Sequence, residues 1–217
     1  MDIYYRYNRN KEIISLLENT FEEFKKENSI PITFSDEIPP KLRDKMDDYP
    51  IDGLMGAYFL ETKHIVIYLQ GINRVANDMG SKFKISNLYE NLMIIVILHE
   101  IGHYWFDNIA FTARFNCYKD LPKVSTMDNP SIDEWVAQMF AFICIKKKKN
   151  LIKTMHELTK DQPEEYKSFR NNSADIEEFK DIVRVFQHHI TIFKELKITE
   201  AIEEAQLKIE ACKFNLC

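Results

Sequence analysis

The sequence predicts an α+β, mainly helical fold: a small, mostly antiparallel sheet, a central buried helix and a helical extension at the C-terminus. Three observations lead there. Apolar residues cover nearly every face of residues 88–106, LYENLMIIVILHEIGHYWF, the mark of a helix enclosed by the rest of its domain. Two β-rich runs flank four polar residues between Ala57 and Leu69, AYFL-ETKH-IVIYL, the pattern of a hairpin. Beyond Lys149 the composition turns charged, with apolar residues three and four apart. Fifteen Phe, ten Tyr and only five Gly among 217 residues suit a well-filled, largely helical body.

Taken in order, residues 11–27 read as an amphipathic helix, with Ile13, Leu17, Phe21 and Phe24 on one side. Ile30 to Phe34 is a short β-type run closed by Pro39-Pro40, and residues 41–55 show no clear period. After Gly71 comes a short helical stretch with a break at Gly80-Ser81. Asn87 and Glu90 have the spacing of a capping box at the start of the central helix. Residues 107–129 are loop-rich, with Pro122 and the Asp128-Asn129-Pro130 break. A second buried helix follows at about 131–146, SIDEWVAQMFAFICIK, and Lys146 to Lys149 read as its solvated end. Ile176, Phe179, Val183, Phe186, Ile190 and Phe193 form a helical seam. The seam is expected to fold back on the body, with a dimer contact as the alternative. These elements divide the chain into a domain at 1–149 and a helical extension at 150–217.

The net charge of −5 and pI near 5.7 give no global attraction to nucleic acid or anionic membrane. Met1 to Asn10, MDIYYRYNRN, lacks the apolar core and small-residue site of an export signal. The longest apolar run, Leu92 to Leu98, is far shorter than the ~20 residues of a spanning helix. A cytoplasmic location is therefore expected, with Cys117, Cys144, Cys212 and Cys217 as reduced thiols.

The chemistry is concentrated in His99-Glu100-Ile101-Gly102-His103. Two histidines four residues apart share a helical face about one turn, ~6 Å, apart, so their imidazoles can converge on one ion. Zinc favours such nitrogen ligands. Glu100 projects beside the pair, where it can act on a water without entering the coordination sphere. A core function for all three is hard to sustain, because each polar group would need a buried partner in an apolar helix. Gly102 costs about 1 kcal/mol relative to Ala inside a helix. Its place between the metal-facing residues suggests that another chain segment or strand approaches closely there. The other histidines carry less: His64 falls in the hairpin turn, and His188 and His189 flank the seam.

A catalytic zinc needs a third protein ligand and an open position. The next helix offers Asp133 and Glu134 near its start. On spacing alone Glu134 has two readings: metal ligand, or capping-box partner of Ser131. A helix starting at Asn129 and Pro130 would leave Glu134 inside it and free for other work. For the oxyanion of an acyl-transfer step, Tyr118, Arg114 and His156 are the candidates.

His99–His103 followed by Glu134-Trp-Val-Ala137-Gln138-Met-Phe140-Ala141 resembles the ImmA/IrrE family of metallopeptidases over roughly residues 50–145. Glu134 matches the family's third zinc ligand, and Ala137, Phe140 and Ala141 match the small and aromatic positions behind it. Val136 and Gln138 depart from the family's usual Glu and Asn or Asp. The resemblance implies a zincin-like, gluzincin-type domain that binds Zn2+ through His99, His103 and Glu134, with Glu100 as the catalytic base. It also implies that Gln138 hydrogen-bonds a liganding histidine. The implied activity is zinc-dependent endopeptidase, and the implied substrate is a regulatory protein such as a transcriptional repressor. Family members often carry a helix-turn-helix part. The sequence shows none, so no direct nucleic-acid binding is expected, and the chain is expected as a monomer or as a dimer through its C-terminal helices. The alternative is a catalytically silent zinc module whose helical tail binds a partner.

Overall fold

A computed structural model describes residues 3–21, 24, 30–36, 54–108, 130–167, 176–193 and 195–213. Along the chain these form α1 (Ile3–Thr20), β1 (Ile32–Ser35), β2 (Gly56–Phe59), β3 (His64–Tyr68), α2 (Leu69–Lys82) and α3 (Leu88–Asn108). There follow α4 (Pro130–Ile145), α5 (Lys149–Leu158), α6 (Glu164–Lys167), α7 (Ile176–Phe193) and α8 (Ile198–Lys213). The described chain is mainly helical with one small sheet, as the patterning predicts. No helix among these residues is long and apolar enough to cross a membrane.

The sheet corrects one expectation. Its strand order is β1-β3-β2, and it is mixed rather than mostly antiparallel. β2 and β3 make the expected hairpin, with Gly56 opposite Ile67 and Phe59 opposite His64. β1 runs parallel to β3, with Ile32 opposite Ile65. Parallel neighbours need a connection of about a dozen residues or more, and residues 36–63 supply it. The hairpin turn also begins one residue early, so His64 opens β3 instead of standing exposed in the turn. Its Nε2 lies 2.9 Å from Thr33 Oγ1 on β1.

Helix α1 starts earlier than periodicity suggests and ends at Thr20. Phe21 and Phe24 are nevertheless buried beyond its end, and the Phe21 ring stacks on Phe140 with centroids 4.5 Å apart. α2 runs through the expected break at Gly80 to Lys82. One glycine costs about 1 kcal/mol, less than the helix gains by burying Leu69, Ile72 and Met79. Asn87 takes a left-handed φ of 55°, which Asn tolerates, rather than the extended form usual for an N-cap. Its carbonyl accepts the first bond of α3, from Asn91 N–H at 2.9 Å.

α3 is the central element. Leu92 to Leu98 are all buried, as are Ile101, Trp105 and Phe106. α4 packs along it so closely that a Cβ on Gly102 would sit 2.7 Å from Ala137 Cα and 3.0 Å from its carbonyl oxygen. The segment that Gly102 admits is thus a helix. The seam of α7 closes over both: Phe179 stacks on Trp105 at 5.6 Å and 11°, and Phe186 meets Trp135 edge-on at 5.8 Å. Gln187 Nε2 donates to Phe106 O at 2.6 Å. Lys146 to Lys149 are exposed, as expected, but they follow the end of α4 at Ile145, and Lys149 already opens α5. Cys144 and Cys212 are buried and form no disulfide among the described residues. Pro39-Pro40, residues 109–129 of the stretch expected to be loop-rich, and the remaining two cysteines, Cys117 and Cys217, lie outside the described residues.

Candidate metal centre

The two histidines of α3 point toward the start of α4. His99 and His103 Nε2 atoms stand 3.1 Å apart, with the rings nearly perpendicular at 86°. Glu134 Oε2 lies 3.2 Å from His99 Nε2 and 3.8 Å from His103 Nε2. Helix α4 begins at Pro130, so Ser131 lies inside the helix and Glu134 falls in its second turn. That register turns Glu134 toward α3 and removes the Ser131 capping-box reading.

The far side of each imidazole is also engaged. His99 Nδ1 is 3.0 Å from Gln138 Oε1. A carbonyl oxygen can only accept, so Nδ1 carries the proton and Nε2 turns its lone pair to the cluster. Gln138 lies one turn beyond Glu134, so α4 supplies both the third donor and the group that orients the first. His103 Nδ1 is 3.1 Å from Asp133 Oδ1, a close carboxylate that favours the protonated imidazole. Asp133, considered from sequence only as a possible ligand, instead faces the outer nitrogen of His103.

His99, His103 and Glu134 each offer one ligand atom, and those atoms lie within 4.8 Å of one another. Donors bonded at ~2.0–2.2 Å to a tetrahedral ion stand about 3.3 Å apart, and the three observed separations straddle that value. Glu134 Oε2 is buried with no hydrogen-bond partner. A buried carboxylate oxygen facing two imidazole nitrogens lacks only a cation to satisfy all three. The donor set therefore fits a metal ion.

Electrostatics around the cluster are strongly coupled. Burial opposes the charged form of His103, but Asp133, Glu134 and Glu100 outweigh it and hold its pKa at about 10. Burial likewise opposes Glu134, yet the adjacent His99 and His103 imidazoles and a hydrogen bond from Tyr166 bring it down to about 2. Glu100 is buried beside the pair, and its pKa is raised by burial against the lowering pull of His99 and His103.

Glu100 is also held against the sheet. A Cβ on Gly56 would lie 2.8 Å from Glu100 Oε1 and 2.9 Å from its Cγ, so the bare glycine backbone of β2 is what fits there. β2 is an edge strand, paired only with β3 among the described residues. Its Tyr58 hydroxyl donates to Asp107 Oδ2 at 2.7 Å and accepts from Asn108 Nδ2 at 3.0 Å, pinning the strand to the end of α3.

Protein-family models, curated proteins and solved structures were all compared with the chain. None of the three gives a match.

All four residues singled out from sequence, His99, Glu100, His103 and Glu134, thus meet in one place. Of the oxyanion candidates, Tyr118 and Arg114 lie outside the described residues, and His156 on α5 is not part of the ligand group. The side chains of His188 and His189 also lie outside the described set. Sequence reasoning missed Tyr166 of α6, whose ring lies 6.2 Å from that of His99 at 18°. A four-residue helix has no period to read, so no local signal marked it. Nor does the sequence mark the approach of Glu100 to Gly56, which lies just before the β-rich run that begins at Ala57.

Proposed function

We propose that the chain is a zinc-dependent endopeptidase of the ImmA/IrrE type. The observation that carries this reading is the meeting of two imidazole nitrogens and one carboxylate oxygen at ligand spacing, with the buried Glu100 beside them. A His, His, Glu donor set is one that zinc favours. An ion held by His99, His103 and Glu134 would acidify a water and polarise the scissile carbonyl. Gln138 fixes the tautomer of His99, and Asp133 faces the outer nitrogen of His103, as outer groups do around catalytic metals.

Glu100 takes the proton from the attacking water and returns it to the leaving amine. Burial raises its pKa, which suits one carboxyl that must first accept a proton and then donate it. The edge of β2 that is unpaired among the described residues offers main-chain hydrogen bonds to an extended peptide, and Gly56 brings that edge to the base. The resemblance of the Glu134–Ala141 segment supports a regulatory protein, such as a transcriptional repressor, as substrate, and a cytoplasmic location goes with such a target.

The test compares the wild type with Glu100→Gln. Zinc measured by plasma emission should be about one per chain in both. Cleavage of a candidate repressor should fall by roughly 100-fold or more in the variant, the scale of general-base loss. A wild type without zinc, or a variant that cleaves as well as the wild type, would overturn the reading. Zinc in both and cleavage in neither would leave a silent zinc module.

A further inference from the structure

Tyr166 touches two of the three ligand residues at once. It sits on α6, a single turn after Pro163, whose carbonyl accepts the Tyr166 amide at 3.2 Å. Its ring lies nearly parallel to that of His99, 6.2 Å away. Its hydroxyl is hydrogen-bonded to the Glu134 carboxylate. Glu134 has the greatest need of such an anchor: its side chain is 30% exposed, against 15% for His99 and 9% for His103. An unrestrained Glu side chain would spread over many rotamers and lose that freedom when it binds.

We propose that Tyr166 is a positioning residue that sets Glu134 for metal capture. The hydroxyl donates to the carboxylate and leaves Oε2 facing the two imidazoles, while the ring lies nearly parallel to that of His99 and offset from it. His99 is held in its plane by Gln138, with the Tyr166 ring beside it. The carboxylate that completes the ligand set is aimed before any ion arrives, so its ordering cost is met during folding rather than during binding. This inference rests on the metal-binding reading.

The experiment measures zinc affinity by competition with a chromophoric chelator for the wild type, Tyr166→Phe, Glu134→Ala and the double variant. Phe keeps the ring and removes only the hydroxyl. Tyr166→Phe should weaken zinc by roughly 10-fold, the lower range for groups that orient ligands. In the Glu134→Ala background the same change should have no effect, because the group it acts through is gone. Wild-type affinity in Tyr166→Phe, or an equal loss in both backgrounds, would overturn the positioning role while leaving the metal site intact. Absence of zinc binding by the wild type would remove the metal reading and this inference with it.

Discussion

The residues of the cluster work against their own burial. His103 is 7% exposed and Glu100 6% exposed, and both have pKa values moved upward in the metal-free chain. A pKa raised on folding means that the folded state holds the proton more tightly. For His103 the resulting stability is fully present below its ordinary value of 6.5 and is lost as pH rises through about 10. Glu100 contributes with the same sign. Glu134 has the opposite sign: its contribution is present above 4.5 and is lost as pH falls toward about 2. The melting temperature of the metal-free protein should therefore fall between about pH 6.5 and pH 10. A zinc ion bound as proposed would replace a proton on His103, so the stabilisation it confers should grow over the same interval. Thermal melts with and without zinc across that range check both trends; a flat metal-free profile would show that His103 is not held protonated.

Between elements, the decisive contact is α3 against α4. The ligand set spans these two helices, so its spacing depends on how near they lie. Gly102 allows the approach, with Ala137 supplying the opposing surface. Gly102→Ala would improve helix propensity by about 1 kcal/mol if α3 stood alone. In place, the added methyl meets backbone at 2.7 Å, and overpacking of this kind costs about 1–3 kcal/mol. The backbone of one helix must move, which also spreads Glu134 from the histidines. Gly102→Ala should lower both the urea midpoint and the zinc affinity; a variant more stable than the wild type with unchanged affinity would contradict this packing.

At the scale of the molecule, one hydrophobic cluster runs from Ile13 on α1 to Cys212 on α8. The seam of α7 lies within it, with Phe179, Val183, Phe186 and Phe193 buried. The chain has two tryptophans, and both Trp105 and Trp135 contact Phe179. Their fluorescence therefore reports the docking of α7 on the two helices that carry the site. If the cluster unfolds as a unit, tryptophan fluorescence and far-ultraviolet circular dichroism should give one urea midpoint. A fluorescence transition at lower urea would mean that α7 undocks first.

What the sequence determined by itself was local. The four-residue spacing of His99 and His103 puts two imidazoles on one face of any helix, and the apolar run around them makes that helix buried. The β2–β3 hairpin and the α7 seam were legible for the same reason, since periods of two and 3.6 are written in neighbouring residues. Tertiary structure decided the rest. Whether Glu134 served a helix cap or the histidines depended on where α4 began and which way it faced, and spacing left both open. The parallel pairing of β1 with β3 joins residues far apart in the chain. Tyr166 reaches His99 and Glu134 from a single helical turn that carries no pattern of its own. His99 and His103 make a pair by covalent spacing, but the third donor is set by packing, where Gly102 lets α4 come close enough to present it.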